Sequence, residues 1–307
     1  MTVSATQLAE QIRTGLSQSG FGCKIVSIEH VADLQKELVS LQTGGSLNDA
    51  FCQDFLSSFQ FQPPESLPGA KSIIVVTMPQ PILSLLFNWK GEKRAVLIPP
   101  TYDWKINEEI KQTLEEALSL ECYSIAPARL PLKLLAMHSG LTRYGRNNIS
   151  YVPGVGSFHR LAAFYTDLPC PVDEWLTEPM ELERCLKCTI CLQECPTGAI
   201  GEDRFLLRAE RCLTIHNESD LDFPDYIEPS MHHCLVGCLI CQRACPENDK
   251  VKDWMEERER FTKEETEQIL SDIPPEELAP ELREKLERLC LLDGMPLVRR
   301  NLGLLLT

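Results

Sequence analysis

The chain has 307 residues, of which 43% are hydrophobic and 24% are charged, as is usual for a globular protein. Its formal net charge of −15 argues against a general nucleic-acid surface, which needs clustered basic residues. The polar first residues do not resemble a secretory signal, and the longest apolar stretch, 72–89, is interrupted at residues 79–81 by Pro-Gln-Pro. We therefore expect a cytoplasmic protein without a membrane span, and a buried strand followed by a loop over 72–89.

Helices and strands alternate through the first half of the chain. Ser4 and Gln7 have the spacing of a capping box, which predicts that a helix begins there. The continuous apolar, β-branched run over 71–78 is typical of a strand buried on both faces. The other predicted elements are strands over 23–28 and 94–100 and helices over 8–18, 31–42 and 107–121. This alternation predicts a mixed α/β or α+β core domain over residues 1–175.

Two cysteine runs follow the core, and both end in Cys-Pro. The first run has the spacing C-x2-C-x2-C-x3-C-P, and the second has three cysteines in the same pattern. In two-cluster ferredoxins, the last cysteine of each run ligates the other cluster. The runs therefore predict a ferredoxin-like domain with two [4Fe–4S] clusters over residues 176–250. Tetrahedral zinc sites and disulfides are the alternatives for such cysteines.

The ligands of each cluster follow from the spacing of the runs, except at one position. Cys234 lies one residue too far from Cys238 for the pattern, so the fourth ligand of the second cluster is Cys234 or a cysteine elsewhere, with Cys212 the preferred choice. This assignment leaves Cys234 without a cluster. The first cluster would use Cys185, Cys188, Cys191 and Cys245, and the second Cys195, Cys212, Cys238 and Cys241.

The remaining tail, residues 251–307, is rich in charged residues. Thr262 and Glu265 have the spacing of a second capping box, and residues 281–292 have a helical pattern of apolar positions. We therefore predict a helical tail.

The segment over residues 130–158, with its glycines, resembles the epoxyqueuosine reductases. A similar segment and a later Gly-Ser precede a paired-cluster module in that family. The matching residues are Gly140, Leu141, Gly145, Arg146, Asn147, Gly156 and Ser157. The strand over 71–78, the Arg211-Cys212 pair and the second cysteine run are also similar, so that the resemblance extends over about residues 66–250.

This resemblance implies a nitroreductase-like core, related to the reductive dehalogenases, that holds cobalamin beside a ferredoxin-like module. It implies cofactor contacts at Gly145, Arg146, Asn147, Gly156 and Ser157. The family's catalytic aspartate has no counterpart, because no Asp or Glu lies between Glu121 and Asp167 and the aligned position falls on Ala126 or Ser124. The chain therefore resembles a divergent paralogue, for which tRNA is not the expected substrate.

The acid-free segment contains five basic residues: Arg129, Lys133, Arg143, Arg146 and Arg160. They either belong to a scaffold and pair with carboxylates elsewhere, or they line a pocket for an anion such as phosphate or carboxylate. His138 and His159 lie in the same segment, and each is either structural or a proton donor near a cofactor.

Two functions remain open from the sequence. The first is a cobalamin-dependent iron–sulfur reductase that takes electrons from an external low-potential donor, such as ferredoxin or flavodoxin, and acts on a small, anionic substrate. The second is an electron carrier or activator that feeds a partner enzyme and performs no substrate chemistry. Binding of cobalamin would distinguish the two.

Overall fold

A computed structural model describes residues 3–45, 56–202, 206–219 and 221–307. The helices and longer strands, in chain order, are α1 (Ala5–Gln18), β1 (Gly22–Ser27), α2 (His30–Thr43), β2 (Ser72–Pro79), β3 (Ile82–Trp89), β4 (Glu92–Ile98), α3 (Lys105–Ser119), β5 (Ile125–Pro127), α4 (Leu132–His138), β6 (Arg143–Tyr144), β7 (Ser150–Tyr151), β8 (His159–Thr166), α5 (Ile190–Glu194), α6 (Leu213–Glu218), α7 (Ile240–Arg243), β9 (Met255–Phe261), α8 (Lys263–Leu270), α9 (Pro280–Arg288) and α10 (Met295–Leu305). The predicted mixed α/β class is confirmed.

The chain forms two compact units, each built from two segments. The first unit contains residues 1–79 and 104–189, and the second contains 80–103 and 190–307. The three-part division expected from the sequence follows other boundaries and stays a prediction.

The first unit is organised around a four-stranded antiparallel sheet in the order β1-β2-β8-β5. Side chains alternate across the central strand β2 because the period of a strand is two residues. Ile73 and Val75 pack into one apolar cluster with α2 and α4, whereas Ile74 and Val76 pack into another with α1 and α3. This two-sided burial explains why the strand is a continuous apolar run, as predicted.

Both predicted capping boxes are present. The Ser4 hydroxyl accepts a hydrogen bond from the Gln7 N–H at 3.2 Å, and the Gln7 side chain accepts one from the Ser4 N–H at 3.1 Å. Thr262 and Glu265 make the same reciprocal pair at the start of α8. Each box satisfies main-chain donors that the first turn of a helix leaves without partners.

The second unit contains a three-stranded sheet in the order β4-β3-β9. Two predictions were wrong here: residues 82–89 form strand β3 rather than a loop, and the tail contributes strand β9 rather than helices alone. β9 pairs in parallel with β3, and the rings of Phe87 and Phe261 stack at 4.5 Å. The charged sequence of β9 is compatible with a strand because most of its side chains are exposed and Phe261 anchors it in the core.

No helix within the described ranges is long and apolar enough to cross a membrane.

A stack of three rings in the first unit joins α2 and α4 to the segment after β8. Trp175 stacks on His30 and on His138, with ring centroids 4.1 and 4.8 Å apart. His138 Nδ1 lies 2.5 Å from the Leu176 carbonyl, and Nε2 lies 2.8 Å from a Glu37 carboxylate oxygen. Burial opposes protonation of His138, but these two hydrogen bonds and the charges of Glu37 and Asp33 together outweigh it and raise its pKa. Such an environment suits a structural role for His138.

We expect this stack to make stability depend on pH. Because the folded pKa of His138 is above the unfolded value of 6.5, its contribution is complete below that pH and is lost as pH rises through the folded value. The free energy of unfolding of the wild-type protein should therefore fall more steeply than that of His138→Gln in anaerobic urea titrations between about pH 6 and 9. Equal pH dependence in the two proteins would contradict this assignment.

Candidate cluster-binding site

The cysteines assigned to the first cluster are divided between the two units. Cys185 lies in a 3₁₀ turn over Glu183–Leu186 and is buried, and Cys188 follows it in the first unit. Cys191, on α5, and Cys245 belong to the second unit. Their assignment to one cluster stays a prediction.

The four cysteines assigned to the second cluster all belong to the second unit. Burial, together with the charges of Cys212 and Cys195, raises the pKa of Cys238 to about 12. Burial also raises the pKa of Cys241 well above its usual value, as do the charges of the other three cysteines and of Cys191. This mutual effect requires the sulfur atoms to lie near one another. Because Cys191, assigned to the first cluster, acts on Cys241 in the same way, the assignment of Cys195, Cys212, Cys238 and Cys241 to one cluster stays a prediction.

The raised pKa values have a chemical consequence for metal binding. Buried thiols of this kind are protonated at neutral pH unless a cation compensates the thiolate charge. Iron would supply that compensation, and its binding would release protons. Within the described residues, no three His, Cys, Asp or Glu side chains form a group that could hold a single metal ion, whereas four cysteines around a [4Fe–4S] cluster hold a larger group.

Cys234 occupies a different environment. It is 0% exposed, forms a parallel bridge with Leu97, and precedes Leu235 and Val236 in the apolar core of the second unit. Burial raises its pKa, and the charge of Cys238 raises it further, so Cys234 lies near the cluster cysteines. Its packing suits a small buried apolar residue.

Gly237, directly before Cys238, is a residue that the sequence analysis missed. Its φ of +67° is in the left-handed region, and a Cβ there would lie 2.7 Å from the Tyr102 hydroxyl. Its carbonyl accepts a hydrogen bond from the Asn217 side chain at 2.8 Å. A glycine immediately before a cluster cysteine was the available signal.

Arg146 connects the glycine-bearing core segment to the first cysteine loop. Its guanidinium donates hydrogen bonds to the carbonyls of Cys185 at 2.6 Å and Cys188 at 3.0 Å. Its main-chain N–H lies 3.4 Å from the Cys185 sulfur. Arg146, a predicted cofactor contact, therefore binds the loop that carries two predicted ligands of the first cluster.

The other predicted cofactor residues are engaged in protein contacts. A Cβ at Gly145 would lie 2.6 Å from the Tyr151 ring, and the Asn147 amide donates to the Tyr151 hydroxyl at 2.9 Å. Gly156, with a φ of +103°, exchanges two main-chain hydrogen bonds with Val152. Asn147 and Ser157 are both buried. Their roles as cofactor contacts stay predictions.

Two other residues of the acid-free segment have defined surroundings. Arg160 is buried, donates to the Asn107 side chain at 2.8 Å and lies 3.8 Å from the centre of the Trp104 ring. Burial lowers the pKa of His159 to about 4, although a bond to the Gly156 carbonyl opposes the shift. His159 is therefore neutral at physiological pH and cannot act there as an imidazolium donor.

The positions aligned with the family's aspartate lie at β5. Ala126 pairs with Tyr165 of β8 and is buried. Ser124, just before the strand, donates its main-chain N–H to the Asp167 carboxylate at 2.8 Å. Neither residue provides an acid group of its own.

Comparisons with known proteins agree with these observations. Residues 184–248 match a 4Fe-4S double cluster binding domain, which confirms the prediction of two [4Fe–4S] clusters. The epoxyqueuosine reductase of Escherichia coli (strain K12) is 32% identical over 202 residues, or 61% of this chain and 51% of the relative. That of Aliivibrio fischeri (strain ATCC 700601 / ES114) is 27% identical over 269 residues, or 81% and 68%.

A crystal structure of selenomethionine-labelled epoxyqueuosine reductase has the same fold. Its TM-score is 0.72 at 22% identity, with 99% of this chain and 82% of that chain covered. The protein is thus a mixed α/β protein with a double 4Fe-4S domain. Its predicted resemblance to the epoxyqueuosine reductases is confirmed in sequence and in fold. The chain spans about half the length of the first curated relatives that it matches, 49% and 51%.

Paired cysteine variants can test the ligands of the second cluster. The anaerobically reconstituted wild-type protein should contain about eight iron and eight sulfide ions per chain, as two four-iron clusters require. Cys212→Ser should lose roughly half of the iron because one cluster loses a ligand, whereas Cys234→Ser should retain all of it. Iron and acid-labile sulfide analysis measures both. If Cys234→Ser loses iron and Cys212→Ser retains it, Cys234 rather than Cys212 is the ligand.

Proposed function

We propose that this chain is an iron–sulfur oxidoreductase whose two [4Fe–4S] clusters deliver electrons to cobalamin bound by the core. The observation that carries this proposal is the pair of hydrogen bonds from Arg146 to the carbonyls of Cys185 and Cys188. They link the core segment that resembles a cobalamin-binding region to the loop that carries two ligands of the first cluster. The similarity to proteins named as reductases supports the same activity.

The surroundings of Arg146 favour electron flow toward the core. Positive charge and N–H groups directed at sulfur stabilise the more negative, reduced state of a cluster. Arg146 supplies both, because its main-chain N–H faces the Cys185 sulfur and its guanidinium lies on the same loop. The first cluster would therefore be the immediate donor to the core, with the second cluster between it and an external donor such as ferredoxin or flavodoxin.

The fit of cobalamin to the segment over residues 130–158 rests on the main chain of that segment rather than on the side chains that were predicted to contact the cofactor. Asn147 and Ser157 are buried and engaged within the protein. In contrast, a Cβ at Gly154 would meet no atom within 4 Å, and the neighbouring Val155 is exposed. We assign the cofactor contact to the turn over residues 153–156. Bound cobalamin would supply a cobalt centre that passes electrons to the substrate.

The proposed substrate is a small anion. Between Glu121 and Asp167 the chain has five basic residues and no acidic residue, which favours binding of negative charge. One similar solved structure contains an epoxyqueuosine reductase with a tRNA stem loop. For the present chain, the net charge of −15 and the lack of an acid at Ser124 and Ala126 favour a different and smaller substrate.

A second candidate function is electron transfer to a partner enzyme without substrate chemistry. The lack of a carboxylic acid at the aligned positions favours it, since a reductase of this type needs a proton donor. Under this alternative the core is a scaffold, and the protein binds no cobalamin.

Titration with cobalamin distinguishes the two functions. We expect cobalamin to change its visible spectrum on addition to the anaerobically reconstituted protein, and Gly154→Phe to weaken this binding by filling the turn. Gly20→Phe is a matched control, because Gly20 has a φ of +78° against +77° for Gly154 and is equally open. A wild-type protein that leaves the spectrum unchanged would favour the electron-transfer function, and equal weakening by both variants would contradict the assigned turn.

A further inference from the structure

The C-terminal helix α10 reaches the main chain that surrounds the second-cluster cysteines. Asn301 on this helix is 1% exposed, and its amide donates hydrogen bonds to the carbonyls of Asn217 at 2.9 Å and Leu235 at 2.8 Å. The Asn217 side chain in turn donates to the Gly237 carbonyl at 2.8 Å. These three buried bonds join three segments that are distant in sequence.

The joined segments are those that carry two of the cluster cysteines. Asn217 lies near the end of α6, and Cys212 is the N-cap residue of that helix. Leu235 and Gly237 lie in the loop that leads to Cys238. The Asn301–Asn217 bridge, defined by these two side chains, therefore fixes the position of the Cys212 helix relative to the Cys238 loop.

Arg300 fixes the orientation of this bridge. Its Nε–H donates to the Asn301 side-chain oxygen at 3.1 Å, which leaves the Asn301 amino group directed at the two carbonyls. Its Nη2 donates to the His216 carbonyl at 2.8 Å, and its guanidinium stacks 4.0 Å from the centre of the Phe223 ring. Carbonyls in the last turn of a helix lack partners within the helix, so Arg300 and Asn301 together satisfy two of them in α6.

The same two segments direct hydrogen-bond donors at the cysteine sulfurs. The main-chain N–H and the hydroxyl of Thr214 bond to the Cys212 sulfur, and the Ile215 N–H donates to the Cys212 carbonyl at 3.0 Å. The main-chain N–H of Ile240 bonds to the Cys238 sulfur, and that of Leu239 donates to His233 Nε2 at 3.0 Å. Hydrogen bonds to sulfur are one of the factors that set the reduction potential of an iron–sulfur cluster.

We propose that Asn301, oriented by Arg300, is a positioning residue that sets the reduction potential of the second cluster. It acts by holding the donors on the Cys212 helix and on the Cys238 loop in place against the sulfurs. This inference rests on the proposed electron-transfer function and on the assignment of Cys212 and Cys238 to one cluster. The bridge belongs entirely to the second unit.

The test is an anaerobic redox titration of Asn301→Leu, followed by electron paramagnetic resonance. Leucine keeps nearly the same volume but removes the amide donor. Less well-ordered donors stabilise the reduced cluster less. The reduced-to-oxidised ratio of the second cluster at a fixed potential should therefore fall roughly tenfold, which corresponds to a reduction potential that is lower by about 59 mV for one electron. Iron content and the potential of the first cluster should not change. An unchanged potential at full iron content would overturn the inference.

Val298→Ala is the matched control for a purely structural effect. Val298 lies on the same helix, is buried in the apolar cluster of the second unit, and makes no bond in the bridge. Its truncation should lower the thermal unfolding midpoint without changing either potential, because it removes packing only. An equal shift in potential in Val298→Ala and Asn301→Leu would show that loose packing of the tail is sufficient, and would overturn the inference.

Arg300→Gln provides a second variant if Asn301→Leu does not fold. Arg300 is partly exposed, so its replacement is milder, and it should shift the second potential in the same direction by a smaller amount. An unchanged potential in this variant would also overturn the inference. If the assignment of Cys212 to the second cluster is wrong, a different measurement shows it, because Cys212→Ser would then retain all of its iron.

Discussion

The burial of negatively charged sulfur is the constraint on which the cluster-binding part of the molecule depends. A thiolate removed from water needs compensation by iron, by N–H donors or by a nearby cation. The chain provides the donors through short helices and turns that begin at or beside the cysteines, such as α6 after Cys212 and the turn before α7. These elements are too short to be stable alone, so other parts of the protein must hold them in place.

Two arginines provide this support in similar ways. Arg146 binds the carbonyls of the first cysteine loop, and Arg300 binds a carbonyl of the Cys212 helix. A guanidinium has several donors in a fixed plane, so it can hold more than one main-chain group at once. Neither arginine needs to touch a cluster to influence it. Each unit therefore contains an arginine that connects its larger elements to cysteine-bearing polypeptide.

The sequence predicted those features that depend on local patterns. The capping boxes at Ser4 and Thr262 and the buried strand β2 were recognisable because their signals lie within a few residues of each other. The 4Fe-4S domain was recognisable because thiolate spacing is dictated by the cluster itself.

Features that depend on distant partners were not predictable in the same way. Strand β9 has a charged sequence, and only its parallel pairing with β3, more than 160 residues earlier, makes it a strand. The bonds of Arg146 to Cys185 and Cys188 and of Asn301 to Leu235 likewise join residues whose separation no local pattern reveals. The sequence therefore identified Arg146 as a candidate cofactor contact but could not predict its bonds to the protein's own main chain.

The parallel pairing of β3 with β9 also bears on biogenesis. During synthesis, β3 and β4 leave the ribosome long before β9 and before α10, which carries Asn301. The second unit cannot close its core until then, since long-range pairing must wait for both partners. The cysteines of the second unit, up to Cys245, are therefore synthesised before the core of that unit can close.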